Sequence, residues 1–580
     1  MPEPVKDGDS KPQPASGPKK TEMSMETRLL LAFLLMGAVL FTMPYFYKSV
    51  TPPPPKKISV TEKAPPTAPA APNPAAPAAA KQQPALASVP AAEATPQQAQ
   101  PPFVIETDLY KIALSNQGAT VRSWLLKKFR GNDGKPLELV NSAANVAFPF
   151  SLHFPAQKPA VDVNQAYYTQ KGDPDGLGVA YEFSDGHTTV RKTFRFQRSS
   201  YRSQVTTEAT VDGQPAPNLV EWRGGFGDLT VANPAGSERT LYFEVAENKL
   251  VEQTVKAAKS GPVSSRGAYS FAGIADSYFV AVFLPEAGAT VDAMTFSDQV
   301  PTALDKNAVA MVGTAVGAGA SNRFTLFVGP KDLDILRKVN PKLEQVVDFG
   351  WLAFLAKPLF LIVNWINQSL VHNYGWSIVL VTIVINFALF PLKMANMKSM
   401  RKMQALQPQI AAINEKYKNV GLRDPRKAEQ NQEVMDLYKK HGVNPMGGCV
   451  PMLLQIPFFF AFYKVFTVSV EMRGANWMWV TDLSQPEHLA IRILPLAMIA
   501  SQFWMQKMTP QANVDPNQQR MMMMMPLIFG FMFEGFPSGL VLYYLTSNLV
   551  SMGQQWFFNH TAAADEAARS VQVKKKNGRK

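Results

Sequence analysis

The side chains able to do chemistry in this sequence are scattered, and those that recur with a pattern are amides and hydroxyls rather than acids, bases or nucleophiles. The run WSIVLVTIVINFALFPLK, residues 376–393, is apolar as far as Pro391 apart from Ser377, Thr382 and Asn386. A carboxamide in so apolar a segment needs a hydrogen-bonding partner or a purpose, because an unpaired amide in hydrocarbon is costly. Other apolar runs carry the same kind of group: Gln455 in 449–469; Ser501, Gln502 and Gln506 in 489–508; Thr546, Ser547, Asn548, Gln554 and Gln555 in 540–558. These groups hydrogen-bond and do not break covalent bonds.

The usual signatures of covalent catalysis are missing. His153 and His187 stand alone, and the sequence holds no HExxH and no GxxxxGK[ST] loop. No apolar run pairs two aspartates or joins a serine to a histidine. The single cysteine, Cys449, excludes an intramolecular disulfide framework and a Cys-rich zinc site. The expectation is a protein that is not an enzyme, with no catalytic residues, no cofactor and no metal. A transporter or channel is the main rival class, but it would need intramembrane charges or an ion path that these runs do not offer.

The elements that must position the polar groups follow from composition along the chain. The 580 residues carry a net charge of +13 and a mean hydropathy of −0.09, an average over unlike parts. Residues 1–28 are polar and read as a disordered cytoplasmic tail. The run 29–47 is close to the length of a spanning helix and lacks a small-residue cleavage site, so it is expected to be an uncleaved anchor. Residues 48–102 are a Pro/Ala-rich linker suited to extended polyproline II. From 103 to 345 short Val/Thr/Tyr/Phe runs alternate at period two between turns such as NDG, SDG and VDG, which predicts an all-β sandwich.

Beyond that domain lie an apolar segment interrupted by Pro358, at 351–370, and five hydrophobic runs at 376–392, 449–469, 489–508, 521–536 and 540–558. The segment 393–448 holds eleven Lys/Arg and the tail 559–580 is basic, whereas 470–488 has only Arg473 and the Pro537-Ser538-Gly539 turn has none. The positive-inside rule then puts 393–448 and both termini in the cytoplasm and the β-domain outside. Six spans satisfy every loop. A seventh at 351–370 would break the parity, so that segment is expected to lie as an amphipathic helix in the interface. The fold class expected is therefore a multi-pass α-helical membrane protein, with six transmembrane helices and an outer all-β sandwich domain.

Within 393–448, Met394, Met397, Met400, Met403, Leu406, Ile410, Ile413 and Tyr417 recur at three or four, and Asp424-Pro425 would start a second helix. A helical hairpin is predicted, its methionines serving packing or a pliable surface for apolar clients. Topology also fixes depth: Asn386 lies about 10 Å from the cytoplasmic end of its span. Gln455 lies at a similar depth in its span, Ser501, Gln502 and Gln506 in the inner half of theirs, and Asn548 at mid-depth with Gln554 and Gln555 near the inner end. Polar groups in bundles ordinarily tie helices together, at about 0.6 kcal/mol apiece. Their bias toward one leaflet favours a hydrated cavity open to the cytoplasm. Glu534, near the outer end of its run, fits neither reading.

NPMGGCVPMLLQIPFFFAFY, FPSGLVLYYLTSNLV, VDFGW and the PLK ending the second span resemble the YidC/Oxa/Alb family of membrane protein insertases, most closely the branch found in bacteria with two membranes. The resemblance runs collinearly from about Phe103 to the C-terminus. It implies a five-helix core with a hydrophilic groove, a cytoplasmic hairpin and a periplasmic sandwich of the galactose-mutarotase-like kind. It implies location in the inner membrane and the role of an insertase and chaperone for nascent membrane proteins, alone or beside the Sec translocon. The expected partners are those clients, Sec components, the lipid bilayer, and the ribosome through the hairpin and basic tail, with no small-molecule substrate. The groove is expected at Thr382, Asn386, Gln455, Ser501, Gln502 and Asn548. Ile456, Phe459, Met532, Tyr543 and Tyr544 are expected to be sliding contacts for the client's apolar segment. One departure stands out: the family usually carries an arginine where this chain has Asn386. That leaves the groove expected to be wet but uncharged.

Overall fold

The computed structural model describes residues 98–142, 145–231, 234–301, 308–418, 426–443, 450–508 and 516–577. The expected tail 1–28 and anchor 29–47 lie outside the described residues, as do most of the linker, the Asp424-Pro425 cap and Cys449.

Residues from Phe103 to Pro330 form a β-rich domain with two sheets. The smaller has four antiparallel strands in sequence order, β1 (Phe103–Glu106), β2 (Tyr110–Ser115), β3 (Thr120–Arg130) and β4 (Pro136–Glu138). The larger has fourteen strands between Leu152 and Pro330. Trp124 of β3 meets Phe196 and Trp222 of the larger sheet and stacks on Phe150, so the two sheets share one aromatic core. Period-two alternation produces it. In the strand Thr188–Phe196 the residues that alternate with Arg191, Thr193 and Arg195 (Val190, Lys192, Phe194 and Phe196) all face inward.

That alternation also buries a lysine. Lys192 is fully buried, and its Nζ donates to Gly118 O at 2.6 Å and Phe150 O at 2.7 Å. Gly118 and Phe150 both hold left-handed φ, at 66° and 71°. A side chain on Gly118 would meet Asn164 O at 2.3 Å, so the turn needs glycine for space as well as for φ. Burial pushes the Lys192 amine down to about 7, partly offset by Glu221.

After the sheets come ten helices used below: α1 (Leu333–Val339), α2 (Ala353–Ile366), α3 (Tyr374–Ala388), α4 (Phe390–Ala405), α5 (Gln407–Lys416), α6 (Arg426–Lys440), α7 (Val450–Val468), α8 (Ile493–Met508), α9 (Pro516–Phe533) and α10 (Ser538–Asn577). α2 continues through a π-turn, Asn367–Val371. Ala356, Leu359, Phe360 and Val363 of α2 are buried against α7, while Trp351, Phe354 and Trp365 lie exposed on the other side. α10 packs on α3, α7 and α8.

Among the described residues only Ala353–Val371 is a continuous helix long and apolar enough to cross a membrane by length and composition. α3 and α4 pass the same test together but bend by 56° at their junction. The segments Gln455–Val468 and Met523–Phe533 are shorter apolar helices.

Several boundaries differ from expectation. The run placed at 489–508 becomes helical only at Ile493, because Glu487 caps it: its carboxylate accepts from Ile493 N at 3.1 Å and Leu494 N at 2.9 Å. Arg492 is therefore outside the helix, and it pairs with Glu534 at 3.0 Å, which gives that carboxylate the partner the sequence did not reveal. The helix placed at 540–558 runs on to Asn577. The Pro537-Ser538-Gly539 turn is seated on the preceding loop, with Ser538 N donating to Gln485 O and Gly539 N to Leu483 O.

The described residues between 398 and 443 belong to a different compact unit from the β-rich domain and the helices around α10. Met403, Leu406, Ile410 and Val443 are buried there against Val434, Leu437 and Tyr438, so these members of the Met/Leu/Ile stripe pack the hairpin together. Glu433 joins Lys416 and the Tyr417 hydroxyl across it, at 2.5 and 3.0 Å.

Candidate functional site: a polar network between helices

Asn386 sits in the last turn of α3, 3 % exposed. Its Nδ2 donates back to Thr382 O at 2.8 Å, and Thr382, fully buried, donates its own hydroxyl to Ile378 O at 2.6 Å. Both residues thus satisfy themselves along their own helix. That leaves the Asn386 carbonyl oxygen facing across the bundle. Ser547 of α10 donates to it at 3.3 Å, and Gln554 Nε2 donates to the Asn386 backbone oxygen at 3.1 Å. Gln455 of α7 extends the chain of bonds, donating to Ser547 Oγ at 3.3 Å and to the Tyr543 hydroxyl at 2.6 Å.

A second cluster lies where α8 meets α10. Asn548 Nδ2 donates to Ser501 Oγ and to Gln502 Oε1, each at 3.0 Å. The structure therefore brings all six expected groove residues into two clusters: Thr382, Asn386 and Gln455 in the first, Ser501, Gln502 and Asn548 in the second. The adjacent α10 residues Ser547 and Asn548 join them. α10 is the common member because its Ser547, Asn548 and Gln554 face three different neighbours. Gln554 Oε1 is buried and finds no partner among the described residues.

The expected sliding residues form an aromatic wall beside the first cluster. Phe459 is 7 % exposed and packs edge-on to Phe533 and Phe536. Tyr543 stacks on Phe462 with ring centroids 4.3 Å apart, and Tyr544 lies against Phe533 at 5.1 Å. Ile456 and Met532 are half-buried on α7 and α9. Tyr543 is buried, so its ring packs the interior and its hydroxyl belongs to the network.

Sequence reasoning missed Lys393, which it used only as a topological marker. Its Nζ donates to Asn386 Oδ1 at 2.5 Å and to Ser551 Oγ of α10 at 2.8 Å. The expectation of an uncharged groove is corrected here: a cation reaches the Asn386 carboxamide from another position in the chain. The available signal was Pro391 two residues earlier, which cannot continue α3's hydrogen bonding and starts a new helix direction.

Two family models cover this architecture: the 60Kd inner membrane protein family matches residues 365–565, and the YidC periplasmic domain matches residues 103–362. Fold and matches together define an inner-membrane protein with a periplasmic β-rich domain. A membrane protein insertase YidC of Pelobacter propionicus is 34 % identical over 563 residues, covering 92 % of this chain and 99 % of its own. That of Geobacter metallireducens is 35 % identical over 567 residues, covering 94 % and 100 %. A solved YidC insertase structure with its first transmembrane domain resolved is 20 % identical, covering 78 % of this chain and 94 % of its own with a TM-score of 0.35. The chain belongs to the YidC family of membrane protein insertases.

Proposed function

We propose that this insertase moves clients along the path marked by the polar network and its aromatic wall. The network opens toward the cytoplasm, and the wall faces the apolar segment of the client. The chain crosses the inner membrane six times, at 29–47, 376–392, 449–469, 489–508, 521–536 and 540–558, with both termini cytoplasmic. The excess of Lys/Arg in 393–448 and in the tail supports that orientation. The segment 351–370 lies on the outer surface of the bilayer. Its exposed Trp351, Phe354 and Trp365 support an interfacial position, since tryptophan favours the headgroup level.

The observation that carries this reading is the convergence of Asn386, Gln455, Ser547 and Gln554, from three helices, on one polar patch. A hydrophilic stretch of client exchanging hydrogen bonds with these groups crosses less hydrocarbon, which lowers a barrier of several kcal/mol per exposed backbone group. The unpartnered Gln554 Oε1 is one place where water or client would bond. The client's apolar segment leaves past Phe459, Met532 and Tyr544 into lipid, driven by burial of its own surface. The process breaks no covalent bond. Clients are nascent membrane proteins, delivered alone or beside the Sec translocon. The hairpin of 398–448 and the basic tail are suited to ribosome contact through their positive charge.

Site-specific crosslinking from Thr382, Asn386, Ile456, Phe459 and Tyr544 to a stalled nascent membrane segment tests the path. Adducts are expected from both the polar and the aromatic positions. Their absence at every one of these positions would remove the groove.

A further inference from the structure

The loop between α7 and α8 presents apolar side chains where a loop ordinarily presents polar ones. Trp477 and Val480 bond each other through both backbone pairs, N to O at 2.8 Å each, which leaves Met478 and Trp479 as a two-residue tip. Met478 holds a left-handed φ of 49°, in a place where such hairpin turns ordinarily carry glycine. It is 68 % exposed, and Ile491 is 70 % exposed. Trp479, Leu489 and Ile493 are exposed as well, and Trp479 and Leu489 line one small cavity. Surface apolar residues are usually scattered singly; these share one patch.

The tip is tied to two helices. Buried Glu487 accepts from Trp479 Nε1 at 2.8 Å with the same carboxylate that caps α8 at Ile493 and Leu494. The Trp477 ring lies against Trp376 in the first turn of α3, with centroids 5.6 Å apart, and a side chain on Gly375 would meet that ring at 2.3 Å. Asn373 Nδ2 donates to Asn476 O at 3.0 Å. The tip is therefore held beside the first turns of α3 and α8, whose exposed Trp376, Ile493 and Leu496 continue its apolar surface. On two spans those first turns stand at the outer edge of the hydrocarbon, so the surface that continues them meets lipid. The β-rich domain is seated elsewhere on the loop, at Arg473. The only Lys/Arg from 470 to 493 are Arg473 and Arg492, paired with Asp228 and Glu534, so neither is left to select an anionic headgroup. We propose that Met478, Trp479, Leu489 and Ile491 form a bilayer-docking surface that enters the outer leaflet at the level of the glycerol and upper acyl chain, without preference for lipid charge. Tryptophan suits that depth, having an apolar ring and a polar N–H. This inference rests on the reading of 376–392 and 489–508 as spans with 470–488 outside.

The test uses the full-length protein with Cys449→Ser, reconstituted alone in vesicles of phosphatidylethanolamine and phosphatidylglycerol. A small fluorophore is attached in turn to Met478→Cys, Ile491→Cys, Leu496→Cys on α8, and His187→Cys, an exposed position of the β-rich domain. Lipids carrying a nitroxide high on the acyl chain should quench the Met478 and Ile491 labels at least about threefold more than the His187 label. Iodide in the water should do the reverse. Raising the phosphatidylglycerol fraction should change the lipid quenching by less than about twofold, and a steep rise would overturn the charge-blind surface. Equal iodide access at Met478, Ile491 and His187 would overturn the docking itself. So would shielding from iodide without lipid quenching, because protein rather than lipid would then cover the tip. Two labelled positions keep the test decisive if one variant folds poorly. A Leu496 label open to water would mean that α8 is not a span, and the membrane reading falls with the proposal. A lipid-quenched Leu496 beside a water-exposed Met478 and Ile491 sinks the proposal alone.

Discussion

The β-rich domain and the helical part of this chain bury polar groups in opposite ways. The domain buries charges and fixes them. Lys192 is fully enclosed and bonded to two carbonyl oxygens. Asp276 accepts from Asp228 N, Tyr278 N and Phe279 N. Arg473, from the loop after α7, ion-pairs with Asp228, donates to Arg130 O at 2.8 Å and lies over the rings of Tyr278 and Phe279. The helices instead bury amides and hydroxyls bonded to one another at 2.6–3.3 Å, with one cation at the edge. Backbone acceptors cannot leave a buried lysine, whereas side-chain amides can trade partners at little cost. The first arrangement holds a shape; the second suits transient exchange with a passing chain.

Breaking the most rigid contact should have the largest effect. Arg473 and Asp228 are 5 % and 2 % exposed, so Arg473→Met leaves a carboxylate buried with only Thr230 to bond it. A loss of about 3–5 kcal/mol is expected at that contact. It should show as faster proteolysis within 470–488 and a lower Tm of the full-length protein in detergent. An unchanged cleavage rate would mean the pair contributes nothing to holding the loop.

Next comes a pH dependence carried by buried groups outside the membrane spans. Folded Lys192 loses its proton near 7 and buried Lys331 near 8, while the unfolded chain keeps both to about 10.5. The unfolded state binds more protons across that window, so stability rises with pH there. Glu238 and Glu471, both pushed up to about 8 by burial, act oppositely between 4.5 and 8. Above 8 their contribution is constant and the lysine slope stands alone, until buried tyrosines titrating above 10 reverse it. Urea unfolding followed by tryptophan fluorescence should therefore show stability increasing from pH 8 to 10. Lys192→Met should roughly halve that slope, leaving the share due to Lys331, and an unaltered slope would place the titration elsewhere.

These two regions were not equally legible in the sequence. Period-two alternation in TTVRKTFRF and its neighbours is enough to predict the strands, and it even puts Lys192 on the inward face. What it lacks is the left-handed turn at Phe150 that supplies a carbonyl acceptor from 42 residues away. In the helices, hydropathy and charge counts located Asn386, Gln455 and Asn548 and predicted a shared depth. The identity of their partners depends on helix rotation, which periodicity fixes only loosely in runs that are apolar all round. Lys393 and Arg492 were misread for a common reason. Each stands at a helix boundary, where a shift of a few residues turns a topological marker, Lys393, or a residue counted inside an apolar run, Arg492, into a partner for Asn386 or Glu534.

The smallest effect expected separates hydrogen-bonded packing from a working surface. Asn548→Leu removes two bonds, to Ser501 and Gln502, yet a leucine fills similar volume between α8 and α10. Helix-to-helix hydrogen bonds of this kind contribute about 0.6 kcal/mol each, so thermal stability in detergent should drop only slightly. If the cluster only joins helices, insertion of every client should follow that slight drop. If it also exchanges bonds with client backbone, polar translocated tails should slow by more than stability accounts for, while a short apolar tail should not. The ratio of the two insertion rates in proteoliposomes measures the difference, because a stability loss common to both tails cancels from it.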